Sequence, residues 1–89
     1  MPRLESWSVS PFSAPGAPRL SGTVTGHPRY PDGTQIVTSP VASASGWTAK
    51  TAGTTYELGE PYPQWVEDMA ERGEVLDMQE PLRRWLEET

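Results

Sequence analysis

The chain has 89 residues and a formal net charge of −5; it is 35% hydrophobic and carries ten prolines and eight glycines but no cysteine. That length supports one small core, since two would each bury too little apolar surface to fold. The composition excludes disulfides and thiolate metal sites, and it leaves Trp7, Trp47, Trp65 and Trp85 as the largest apolar groups. The first residues contain no apolar run of signal-peptide length and nothing later approaches a membrane span, so a cytoplasmic protein without membrane contact is expected.

Residues 1–18, MPRLESWSVSPFSAPGAP, read as a Pro/Ser-rich N-terminal arm in which Pro2, Pro11, Pro15 and Pro18 predict no regular structure. Trp7, Val9 and Phe12 give this arm apolar groups with which to dock on its own domain or on a partner. Residues 19–89 read as a single α+β domain. Leu20, Gly22, Val24 and Gly26 alternate with Ser21, Thr23 and Thr25, which is the period of a half-buried strand. The loop His27-Pro28-Arg29-Tyr30-Pro31-Asp32-Gly33 reverses the chain, because proline fixes φ and glycine accepts positive φ.

Thr34–Ser39 follows as a second strand, Val41–Ser45 as a small-residue connection, Gly46–Thr51 as a third strand and Thr54–Leu58 as a fourth. The expectation for residues 19–59 is a four-stranded antiparallel meander. Either it curls into a small SH3-like barrel or it lays one face on helices. Two short helices are predicted in residues 62–89. The first starts at Pro63, carries Trp65, Val66, Met69 and Ala70 on one stripe and stops at Gly73. The second starts between Asp77 and Pro81 and carries Leu82, Trp85 and Leu86.

Charge is unevenly distributed. Residues 1–56 hold four basic and two acidic side chains, a net of +2, whereas residues 57–89 hold ten acidic side chains and three arginines, a net of −7. Such a field repels nucleic acid and attracts basic protein surfaces, so direct DNA or RNA binding is not expected. The series Glu67, Asp68, Glu71, Glu74, Asp77 and Glu80 is the first candidate contact surface, with solubility as the alternative use of its charge. The second is the loop that crowds His27, Arg29, Tyr30 and Asp32 onto a proline-flanked turn.

Catalysis is not expected. His27 is the only histidine, and a His27–Asp32–Ser39 triad lacks a nucleophile-elbow context or an evident oxyanion hole. No cofactor or metal is implied. Gly22, Gly26 and Gly33 miss the phosphate-loop spacings, and the acidic series lacks both the calcium-loop pattern and neighbouring imidazole or thiolate.

The segment Leu20–Pro40, LSGTVTGHPRYPDGTQIVTSP, together with Tyr56-Glu57-Leu58-Gly59, resembles a strand-loop-strand pattern of short, uncharacterised proteins of bacteria and their phages. In size, charge and style the chain is similar to phage-encoded anti-CRISPR inhibitors. That resemblance implies an inhibitor or adaptor whose acidic helical surface binds a basic, nucleic-acid-handling protein such as a CRISPR effector complex. Two other roles stand beside it: a virion structural or assembly protein, and a small SH3-like module whose His27–Gly33 loop reads a peptide.

Overall fold

The computed structural model describes residues 1–87. Its elements are β1 (Arg3–Val9), β2 (Leu20–Thr25), β3 (Thr34–Val37), β4 (Val41–Ser45), β5 (Thr48–Thr51), β6 (Thr55–Leu58), α1 (Pro63–Glu71) and α2 (Arg83–Leu86). The strands make one sheet in the order β3-β2-β1-β6-β5-β4, with β1 and β6 parallel and every other neighbouring pair antiparallel. This corrects the four-stranded antiparallel meander. The sheet is six-stranded and mixed, built from two three-stranded meanders joined through β1 and β6. Its edges β3 and β4 do not pair, so no barrel closes.

The two additional strands are the ones that local pattern hides. β4, VASAS, is made of small residues without clear alternation. β1 is a bulged strand: its register against β2 shifts between Glu5 and Ser8, and Ser6 sits at φ +49°. The extra residue breaks the two-residue period, so Leu4 and Trp7, three positions apart, both turn into the core and are fully buried. Gly22 makes room for this on the facing strand, since a Cβ there would lie 2.9 Å from the Glu5 carbonyl oxygen and 3.0 Å from Leu4 Cγ.

Around Trp7 the chain assembles its largest rings. The Trp7 indole N–H donates to the Gly59 carbonyl (2.8 Å), and its backbone carbonyl accepts from Tyr62 N–H (2.7 Å). Ring centroids lie 5.9 Å from Trp47 and 5.4 Å from Trp65, and Trp65 in turn lies 5.6 Å from Trp85. The four tryptophans thus form a chain from the β4–β5 turn through β1 to α1 and α2. Leu20, Val24, Val41, Ala49, Tyr56 and Leu58 supply the sheet's side of the core, and Met69, Leu76 and Leu82 the helical side.

Pro63 occupies the first turn of α1, where a missing N–H breaks no helical bond. The helix ends in a glycine cap at Gly73 (φ +79°), with Gly73 N–H donating to Ala70 O (3.0 Å) and Glu74 N–H to Met69 O (2.8 Å). α2 is a single turn behind Pro81 and Leu82, shorter than its apolar stripe predicts. No helix among the described residues is long and apolar enough to cross a membrane.

Of the three apolar residues of the N-terminal segment, Trp7 is buried, Val9 packs against the core and Phe12 is 85% exposed. Trp7→Ala is therefore expected to cost about 3–5 kcal/mol, whereas Phe12→Ala should change stability by no more than about 0.5 kcal/mol. Urea unfolding midpoints of the two variants measure the contrast.

Candidate functional site

The structure divides the acidic series into two groups. Glu67, Asp68 and Glu71 lie on the outer face of α1, opposite the half-buried Trp65 and the buried Met69, and share one exposed surface by their three- and four-residue spacing. Asp68 accepts one hydrogen bond from the Gln64 amide (3.1 Å). The other three carboxylates hold the C-terminal region together. Glu74 pairs with Arg72 (3.1 Å) and with Arg84, joining the end of α1 to α2. Asp77 accepts the N–H groups of Gln79 (2.8 Å) and Glu80 (3.2 Å). Glu80 reaches back to the β4–β5 turn and accepts Gly46 N–H (2.9 Å), beside the Trp47 indole N–H that donates to Met78 O (2.7 Å).

These partners leave a mark on the carboxylates. Charge-assisted bonds from Arg84 and then Arg72 hold Glu74 below the ordinary carboxylate range, and the two backbone N–H groups do the same for Asp77. Glu5 is likewise lowered, by Arg3.

The second predicted surface is brought together as one loop. His27 Nδ1 accepts Arg29 N–H (3.0 Å), which leaves the ring proton on Nε2, and Asp32 accepts Gly26 N–H (2.8 Å). His27 and Asp32 are thus each committed to the backbone and not to one another. The His27 ring stacks obliquely 4.8 Å from Tyr30 and 6.0 Å from Tyr56. Tyr56 was not among the predicted site residues. It lies on β6, far along the chain, and its only sequence signal is that it shares a strand face with Leu58.

These rings stand over a groove of about 400 Å³ between the loop and β3 on one side and the Thr51–Tyr56 hairpin on the other. Its lining includes Arg29, Thr38, Ser39, Thr51 and Thr54, and no Asp or Glu. A second depression of about 450 Å³, beside Trp65 and Trp85, is also lined by charged groups, but its Arg72, Arg84 and Glu74 satisfy one another. Only the first groove offers a cation with no ion pair among the described residues. Among those residues no group of three or more His, Cys, Asp or Glu side chains is placed to hold a metal.

No protein-family model matches the chain, and no curated protein or solved structure matches it.

The carboxylates that pair within the fold set an acid limit on it. A group whose folded-state pKa is lowered binds its proton more readily when unfolded, so its stabilisation is complete above the unfolded pKa and is lost progressively as pH falls from there through the lower folded pKa. Glu74→Gln should lower the urea midpoint at neutral pH, and its difference from the parent chain should shrink as pH falls from about 5 to about 3. A difference that stays constant over this window would show that the Glu74 charge is not what matters.

Proposed function

We propose that this chain is a non-catalytic protein-interaction module that receives a segment of a partner protein in the groove between the His27–Tyr30 loop and the Thr51–Tyr56 hairpin. One observation carries this reading: rings from two distant parts of the chain, His27 with Tyr30 and Tyr56, converge on a groove that contains a cation and no carboxylate. Aromatic rings held in place by packing offer contact area at little entropic cost, and interface anchors concentrate in such positions. Tyr30 is 44% exposed and so presents its ring to an incoming chain. The ring proton on His27 Nε2, the Arg29 guanidinium and the Ser39 and Thr54 hydroxyls supply the polar contacts that orient a ligand; the Thr38 and Thr51 hydroxyls are bonded within the fold.

A second reading is supported by Glu67, Asp68 and Glu71, which share a solvent face and make no ion pair among the described residues. An inhibitor or adaptor that meets a basic, nucleic-acid-handling protein would use this face of α1. The span from Glu74 to Glu80 contributes less to it, because those side chains are engaged within the fold. A phage origin and a CRISPR target belong to this reading on grounds of size and charge. A cytoplasmic setting, consistent with the lack of cysteine, belongs to both.

Selection from a random peptide display library separates the two. Peptides retained by the parent chain should be lost with Tyr30→Ala and kept by the triple variant Glu67→Lys, Asp68→Lys, Glu71→Lys. Loss in the triple variant alone, with steep weakening by added salt, would replace the groove by the acidic face.

A further inference from the structure

We propose that the groove takes its partner as an added β-strand, and that the segment it takes is extended and acidic; this rests on the peptide-binding reading above. The two edges of the sheet differ. α2 packs against β4 at one edge, whereas β3 at the other pairs with β2 alone. Thr38 N–H donates to Leu20 O (2.7 Å), and in an antiparallel ladder every second residue faces the same neighbour. Ile36 therefore faces β2, as Thr38 does, while Gln35 and Val37 turn their N–H and C=O groups outward; Thr34 N–H turns back onto Pro31 O (3.2 Å) and Gly33 N–H donates to Val24 O (2.8 Å) instead. Val37 is 57% exposed and lines the groove, so the free edge and the groove form one continuous surface. Unpaired donors and acceptors along a short edge are the template that an extended peptide completes.

Charge selects among such peptides. Arg29 and His27 line the groove, no Asp or Glu does, and the neighbouring Asp32 carboxylate is turned onto Gly26 N–H. A carboxylate on the incoming strand meets a cation there and no like charge. A proline-rich segment lacks the N–H groups that the Gln35 and Val37 carbonyls require. A nucleic acid strand would find a single arginine for its phosphates, too few for firm binding.

The test uses the intact chain and a fluorescein-labelled alternating Glu–Val octapeptide, followed by anisotropy. Saturable binding is expected, weakened about tenfold by Arg29→Gln and about tenfold by Val37→Pro. The proline removes an outward N–H and leaves the β2 ladder intact, as edge strands permit. In the unmodified chain, saturating peptide should slow amide hydrogen exchange at Gln35 and Val37 by more than about tenfold, a readout that does not depend on any variant folding.

Unprotected Gln35 and Val37 amides, equal binding of a Lys–Val octapeptide, or displacement by an oligothymidylate would each overturn the proposal. Binding of a Pro–Ala octapeptide that is lost with Tyr30→Ala, without binding of the Glu–Val peptide, overturns strand addition and leaves the peptide-binding reading standing. Failure of every peptide to show Tyr30-dependent binding overturns both.

Discussion

The bulge at Ser6 is the constraint from which the remaining architecture follows. A regular β1 would send Leu4 and Trp7 to opposite faces of the sheet, and one of two large apolar groups would be left in water. With one extra residue inserted, both enter the same core, and the Trp7 indole finds its hydrogen-bond partner in Gly59 just beyond β6. That bond and the parallel β1–β6 pairing lock the two meanders side by side. The helices then complete the arrangement, because Trp65 of α1 and Trp85 of α2 extend the ring contacts outward from Trp7. A chain with only 35% hydrophobic residues builds its core economically, by placing one tryptophan where β1, β6, α1 and the β4–β5 turn all meet it.

Charge in the C-terminal third serves two purposes at once. α2 is one turn long and the segment before it is irregular, so local hydrogen bonding alone cannot hold either in place. Glu74, Asp77 and Glu80 provide the links, each through a specific donor: two arginines, a pair of adjacent N–H groups and the N–H of Gly46. What remains available on that side of the molecule is the outer face of α1. Elsewhere, the groove beneath His27 and Tyr30 combines an aromatic wall with a cation and an open strand edge. The two surfaces differ in electrical character, with Arg29 and no Asp or Glu lining the groove and Glu67, Asp68 and Glu71 on the helix face.

Much of this was legible in the sequence where the governing interactions are local. Alternation marked β2, and the turn and breaker residues around them marked β3, β5 and β6; Pro63 and Gly73 bounded α1; and the Pro-Asp-Gly turn placed His27, Arg29, Tyr30 and Asp32 in one loop. β1 was hidden because its bulge abolishes the period by which strands are recognised, and because nearby prolines mark the loop that follows it and not the strand itself. The parallel pairing of β1 with β6 depends on contacts between segments more than fifty residues apart, which no local pattern encodes. For the same reason the acidic series was legible as charge but not as structure. Nothing in the neighbourhood of Glu80 announces that its partner is Gly46, and nothing near Tyr56 announces that its ring joins His27.

Placing β1 at the centre of the sheet also sets an order of events during synthesis. β1 is made before β2 and can pair with it as soon as that strand leaves the ribosome, yet its other side and the cover for Trp7 come from Leu58, Gly59 and Trp65, more than fifty residues later. The nascent chain thus carries a half-roofed indole and an open strand edge until β6 and α1 have emerged, and the collapse that follows joins the first and last strands of the sheet in one non-local step.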